Sequence, residues 1–187
     1  MKTRTSQWFE CKVRYGQMQE TGLQKKVTEQ YVVEALSYTE AEAAIIKEME
    51  PYVSGDFEIT GIKPAAYRDV IFMSEVAKKF HNEVDEMTRA LQKGDGQKAE
   101  EVFHRPLEQQ NNTDTMFFKA KIQFITLDEK SGKEKRTPHS FLVQGTSLDN
   151  AVQNIGVAMQ GTMIDYAKSS VAETKILDVF EHRAAEE

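Results

Sequence analysis

Aromatic and basic side chains alternate along two segments of the chain, and this alternation is its clearest chemical pattern. The segment Trp8-Phe-Glu-Cys-Lys-Val-Arg-Tyr15 and the segment Phe117-Phe-Lys-Ala-Lys-Ile-Gln-Phe124 each place a ring and two cations on the outer face of a strand. Exposed rings stack on bases and cations bind phosphates in proteins that hold single-stranded nucleic acid. With the basic residues of a later hairpin loop, the predicted nucleic-acid-binding residues are Trp8, Lys12, Arg14, Phe117, Lys119, Lys121, Lys133, Lys135 and Arg136.

The same pattern has a structural interpretation. Trp8 and Phe117 begin their strands, where a ring can cover a helix or a dimer partner, and cations on an outer strand face are commonly solvated. The net charge of −6 argues against a general nucleic-acid-coating protein of the basic type. Acidic residues nevertheless concentrate in residues 40–50, residues 83–101 and the C-terminal tail. This segregation leaves room for one basic face.

Histidine and cysteine offer little support for a metal site or a nucleophile. The four histidines, His81, His104, His139 and His182, lack the close spacing of metal-ligand motifs. Cys11 alternates with Phe9 and Val13, which places its thiol toward the core and predicts an inert side chain. Neither a metal nor a cofactor is therefore predicted.

Two aspartates occupy equivalent positions in the two halves of the chain. Asp69 and Asp178 are each followed by valine. The preferred interpretation is a hydrogen bond repeated at a strand end. Acid–base catalysis by the pair would require the two carboxylates to lie within about 10 Å of each other. An enzyme is therefore only the third interpretation.

An internal repeat predicts the elements that position these residues. Residues 31–49 (YVVEALSYTEAEAAIIKEM) align with residues 141–159 (FLVQGTSLDNAVQNIGVAM) with five identities in 19 positions, where chance gives about one. Each copy reads as a buried strand, a serine N-cap at Ser37 or Ser147, and an amphipathic helix. Flanking segments extend the match, so each half reads as strand, strand, helix, strand, strand.

The predicted fold is α+β, an internal duplication of a ββαββ unit with helices packed on one face of an antiparallel sheet. Residues 1–73 form the first repeat, residues 74–115 a helical insert and linker, and residues 116–187 the second repeat. One continuous sheet and two related sheets both remain open. Within the insert, apolar residues at helical spacing predict a helix over residues 76–91; a short helix over 98–104 and a polar linker over 107–114 follow.

Composition indicates a globular protein of the cytoplasm. The 187 residues are 40% hydrophobic and 29% charged, as in soluble domains. No apolar run reaches the length of a membrane span, and the first ten residues lack the apolar core of a signal peptide. A single cysteine excludes an internal disulfide and favours a reducing compartment.

Four segments resemble an uncharacterised family. They are KKVTEQYVV at 25–33, TEAE at 39–42, FITLDEKSGKEKR at 124–136 and GTMIDY at 161–166. They are similar to the domain-of-unknown-function family 4494 of anaerobic gut bacteria, their phages and mobile elements. The resemblance covers residues 5–73 and 117–180 and implies a small cytoplasmic protein without assigned catalytic residues. Residues 74–115 are longer than the family's usual connector.

These patterns together predict a non-enzymatic protein that binds nucleic acid, preferably single-stranded DNA, in the replication or recombination of a phage or mobile element. The alternative is a protein-interaction or regulatory module, or a homodimer, that docks through the outer sheet face or the helix of the insert. No membrane partner is predicted.

Overall fold

The computed structural model describes residues 6–20, 22–92, 114–128 and 132–182. The predicted short helix over 98–104, His104 and most of the predicted linker lie outside these residues. The described elements comprise eight strands and three helices. They are β1 (Gln7–Met18), β2 (Gln24–Ala35), α1 (Tyr38–Met49), β3 (Phe57–Ala65), β4 (Tyr67–Ile71), α2 (Met73–Gln92), β5 (Met116–Leu127), β6 (Glu134–Gly145), α3 (Leu148–Ala158), β7 (Asp165–Glu173) and β8 (Ile176–Phe180).

The strands form two four-stranded sheets. Sheet 1 has the order β3-β1-β2-β8, and sheet 2 has the equivalent order β7-β5-β6-β4. In sheet 1, β1 is antiparallel to β2 and β3, whereas β8 is parallel to β2. In sheet 2, β5 is antiparallel to β6 and β7. The predicted α+β class and the duplication are confirmed, and the choice left open by the sequence is resolved as two sheets.

The ββαββ repeat is not a closed structural unit. The chain folds into two compact units: residues 1–67 with 174–187 form unit 1, and residues 68–173 form unit 2. The last strand of the first repeat, β4, lies beside β6 in sheet 2, and the last strand of the second repeat, β8, lies beside β2 in sheet 1. Each sheet therefore takes three strands from one repeat and one from the other.

Serine caps begin both repeated helices, as their sequences predict. The Ser37 hydroxyl accepts the Glu40 N–H at 3.2 Å, and the Ser147 hydroxyl accepts the Asn150 N–H at 3.1 Å. The side chain three residues after each serine accepts a backbone N–H from the residue before the serine. Glu40 accepts the Leu36 N–H at 2.7 Å, and Asn150 accepts the Thr146 N–H at 3.2 Å. These bonds satisfy backbone donors that a helix start leaves without intrahelical partners.

Each unit has its own apolar core between its sheet and its helix. In unit 1, the predicted inward residues Phe9, Cys11 and Val13 of β1 are buried against Ala41 and Ile45 of α1, along with other residues of the cluster. The equivalent cluster of unit 2 is built from β5, β6 and α3 and also includes Ile71 of β4 and Val76 of α2. Alternation along the strands and fourfold spacing along the helices thus predict the core correctly.

The insert helix α2 contacts α3, and the residues that α3 buries differ from those of α1. Its Lys79 ammonium donates to the carbonyls of Ala158 at 2.9 Å and Gln160 at 2.7 Å, at the C-terminal end of α3. A cation is favourable there because the last carbonyls of a helix carry partial negative charge. Under this cover, α3 buries Val157, whereas α1 has the exposed Lys47 at the equivalent position. None of the described helices combines the length and apolarity that crossing a membrane requires.

Candidate nucleic-acid interface

The outer face of each sheet, the one that points away from its repeated helix, carries most of the predicted binding residues. Successive residues of a strand point to opposite faces. Because Phe9, Cys11 and Val13 face the core of unit 1, Trp8, Lys12 and Arg14 lie on the outer face of sheet 1. By the same alternation, Phe117, Lys119 and Lys121 lie on the outer face of sheet 2.

The prediction that Trp8 and Phe117 are exposed is wrong. Trp8 is 4% exposed and Phe117 is 2% exposed. The outer face of sheet 1 also buries Val32 completely, and the Tyr67 hydroxyl donates to the Glu10 carboxylate on that face at 2.7 Å. Burial of these apolar rings stabilises the folded state. It also leaves neither ring with an exposed face on which a base could stack. The burial of both rings therefore supports the structural interpretation, in which they pack inside the protein.

Lys119 and Lys121 are exposed side by side on β5, the middle of sheet 2. The cross-strand partners of Lys121 are Ser140 on β6 and Ser170 on β7. Those of Lys119 are Leu142 and Ala172. We call Lys119, Lys121, Ser140 and Ser170 the lysine patch; the two serines are contributors that the sequence alone did not indicate.

Two cations of sheet 1 lie beside carboxylates. Arg14 donates to Glu58 at 2.6 Å, and Lys63 lies 2.6 Å from Glu10. The hydrogen bond and the charge of Arg14 lower the pKa of the Glu58 carboxyl, and Lys26 adds to this effect. Lys12 is exposed. Arg14 and Lys63 of sheet 1 are therefore each engaged with a carboxylate.

The three basic residues near the β5–β6 hairpin are exposed but divide between two faces. Lys133 precedes β6, and Lys135 and Arg136 lie within it. Arg136 is opposite Ile125 in the register, which places it on the outer face of sheet 2, and it lies 3.6 Å from Glu134. Lys135 is opposite Thr126 and therefore points to the other side. Only Arg136 shares the face of the lysine patch.

The other chemical candidates make local contacts or are buried. Asp69 accepts the Val70 N–H at 2.9 Å, and Asp178 accepts the Val179 N–H at 2.7 Å, which is the repeated backbone hydrogen bond that the preferred interpretation expects. Each aspartate is the third residue of a five-residue strand, however, and not a strand end as predicted. Cys11 is completely buried, and burial raises the pKa of its thiol to about 12. Across the part of the chain that the structure describes, no three His, Cys, Asp or Glu side chains are grouped as metal ligands.

A polar trio in unit 1 replaces an aromatic trio in unit 2. Tyr15 and Tyr31 both donate to the Glu29 carboxylate, at 2.9 Å and 2.6 Å. At the equivalent positions of unit 2, Phe124 packs against His139, with ring centroids 5.3 Å apart, and against Phe141 at 6.3 Å. Arg68 lies 4.9 Å from the centre of the Phe124 ring. Burial, and then the charge of Arg68, lower the pKa of the His139 imidazole.

The comparisons with known proteins agree with the duplication. The model of a domain-of-unknown-function family, DUF4494, matches the chain twice, over residues 7–103 and over residues 74–182. No curated protein matches the chain. The two matched ranges overlap in the insert, and together they extend from the first strand to the residues after the last. The chain therefore belongs to the family DUF4494.

Proposed function

We propose that this protein is a non-enzymatic nucleic-acid-binding protein that prefers single strands and binds them through their phosphates. The observation that carries the proposal is the lysine patch on the outer face of sheet 2. Lys119 and Lys121 are exposed and point the same way from adjacent outward positions of β5, beside Ser140 and Ser170. Lysines neutralise phosphates and release counterions, and the hydroxyls of Ser140 and Ser170 suit phosphate oxygens.

The burial of Trp8 and Phe117 changes the expected mode of binding. Without base stacking on these rings, affinity comes from charge, and it is therefore salt-dependent and indifferent to base sequence. A row of cations along one strand of a sheet suits a flexible single strand, whose phosphates can adjust to the row. A duplex offers phosphates at fixed positions, and we expect it to bind more weakly.

The proposed setting is the cytoplasm, because the one cysteine is a buried thiol rather than half of a disulfide. The proposed process is the replication or recombination of a phage or mobile element. Its support is the resemblance of the four sequence segments to proteins of that origin.

The test is neutralisation of the lysine patch with a matched control. Each phosphate contact contributes roughly 0.7 to the slope of log affinity against log salt concentration for single strands. A Lys119→Gln/Lys121→Gln variant should therefore lose about 1.4 of that slope and bind a labelled oligothymidine more weakly at low salt. The Lys47→Gln/Lys78→Gln variant removes two other exposed lysines, from α1 and α2, and should bind as the wild type does. Equal affinity in all three proteins would contradict the proposal.

A second candidate function is a protein-interaction module, including self-association. It is favoured by apolar side chains in the turn between α3 and β7, where Met163 is fully exposed and Ile164 is 43% exposed. The helix α2 is a less independent surface, because Val76 belongs to the core of unit 2. A Met163→Ser/Ile164→Ser variant should lose a protein partner or a homodimer, measured by light scattering, and keep any affinity for oligothymidine. Deletion of α2 would instead damage unit 2 itself.

A further inference from the structure

The last strand of each repeat completes the sheet of the unit built mainly from the other repeat. In unit 1, β8 runs parallel to β2, with Tyr31 opposite Asp178, Val32 opposite Val179 and Val33 opposite Phe180. In unit 2, β4 occupies the equivalent place beside β6. We call the edge position next to β2 or β6 the slot of that sheet. In both sheets the slot holds a short strand from the other half of the sequence.

The β8 strand is held in its slot by apolar and polar contacts of unit 1. Ile176 and Val179 are 6% and 8% exposed, and the Phe180 ring stacks on Tyr31 with centroids 5.8 Å apart. Immediately after the strand, the His182 N–H donates to Glu34 at 3.3 Å, and the His182 ring lies 2.7 Å from the Glu40 carboxylate. The residues of β8 are thus fixed by side chains of β2 and α1.

The β4 strand is held in unit 2 in an equivalent way. Val70 and Ile71 are buried, and Ile71 belongs to the core of the unit. Just after β4, the Met73 N–H donates to the Gln144 side chain at 3.2 Å. The following helix then adds Val76 to the same core and Lys79 to the end of α3.

The two slots accept strands of the same kind. β4 reads YRDVI and β8 reads ILDVF, with a shared Asp-Val pair whose aspartate accepts the next N–H in both strands. In each strand the valine is buried, the first residue is buried, and the last residue is apolar, with Phe180 partly buried. Both strands therefore bury the side chains at their first and fourth positions.

We propose that β2 and β6 each present a strand-docking site, occupied by β8 and β4 respectively, and that this reciprocal docking holds the two repeats together without the chain between them. Residues 93–113 connect α2 to β5 covalently. Because each half both supplies a strand and receives one, a chain cut between the halves leaves both sheets complete. The two fragments are then complementary partners, each of which offers the site that fits the other's last strand.

The experiment cuts the folded protein and measures whether the halves separate. A site-specific protease sequence, flanked by Gly-Ser spacers, is inserted between Asp95 and Gly96. After cleavage, we expect size exclusion with light scattering to show one particle with the mass of the uncut protein. The fragments should separate in denaturant and recombine when it is removed. Separation of the wild-type fragments on cleavage under native conditions would overturn the proposal.

A pair of variants in β8 tests whether this strand helps to hold the cleaved halves together. Val179→Asp places a carboxylate at a buried position and should lower the urea concentration at which the cleaved halves separate. Leu177→Asp makes the same change two residues away, where the side chain is 52% exposed, and should leave that concentration unchanged. If the cleaved Val179→Asp halves separate at the same urea concentration as the cleaved wild-type halves, β8 docking does not help to hold them together and the proposal is overturned. If Val179→Asp does not fold before cleavage, Val179→Ala is used instead. It should weaken the association of the cleaved halves by about tenfold. An unchanged affinity between the halves would overturn the proposal.

Discussion

Replacement of Trp8 or Phe117 by alanine should lower the free energy of unfolding, and not only the affinity for nucleic acid. The two rings are 4% and 2% exposed. Truncation of a buried Phe or Trp to alanine costs about 3–5 kcal/mol through lost burial and the cavity left behind. With a urea dependence of about 2 kcal/mol per molar, each change should lower the unfolding midpoint by about 1.5–2.5 M.

The assay is urea unfolding followed by far-ultraviolet circular dichroism, with Tyr52→Ala as the control. Tyr52 is 78% exposed, so its truncation should change the free energy of unfolding by less than about 0.5 kcal/mol. Trp8→Phe keeps an apolar ring and should retain most of the stability and all of the oligothymidine affinity. A Trp8→Ala protein with the wild-type midpoint but no affinity would refute the reasoning, because it would make the ring a ligand contact.

Three further predictions follow from single contacts. Cys11, completely buried with its thiol pKa raised to about 12, should resist a thiol reagent at about pH 8 until the protein unfolds; reaction at the rate of a free thiol would contradict this. Burial, and then hydrogen bonds to glutamates, raise the pKa of Tyr31 and Tyr67 above 10.0, so the folded state keeps protons that the unfolded chain loses. Stability should be fully present below about pH 10 and fall as pH rises further, and a Tyr31→Phe/Tyr67→Phe variant should show a shallower fall in urea unfolding at several pH values. Lys79→Met should destabilise unit 2 by about 1–3 kcal/mol in thermal unfolding, because it removes a charged donor from two carbonyls, whereas the exposed Lys78→Met should not.

Local patterns made much of the fold predictable. The inward set Phe9, Cys11 and Val13 follows from strand alternation, and the helix starts at Ser37 and Ser147 follow from a side-chain oxygen that satisfies a nearby N–H. Both effects depend on residues within a few positions of each other. The duplication was visible because the two copies keep the residues that pack.

The exchange of β4 and β8 could not be predicted in the same way. Which sheet accepts a strand depends on residues far apart in the sequence, and the two strands share the Asp-Val pair that both slots receive. A closed ββαββ unit and an exchanged one therefore have the same local pattern. Only the pairing itself distinguishes them.

The candidate site was partly predictable. Strand alternation correctly places Lys12, Lys119 and Lys121 on the outer faces of the sheets. It does not predict whether other side chains on those faces are buried. A signal for that burial was present in β2 and β6, where Tyr31-Val-Val33 and Phe141-Leu-Val143 are continuous apolar runs. Such runs are typical of strands buried on both faces. Val32 and Leu142, the middle residues, are completely buried on the outer faces.

The most direct test of the proposed function is the fluorescence anisotropy of a labelled oligothymidine titrated with the intact protein at about 50 and 200 mM salt. The account predicts binding at the lower salt concentration that weakens strongly at the higher one, with an unlabelled oligoadenosine competing as well as oligothymidine. It also predicts no quenching of the single tryptophan, because the Trp8 ring is buried. An anisotropy that stays unchanged at the lower salt concentration would contradict the account.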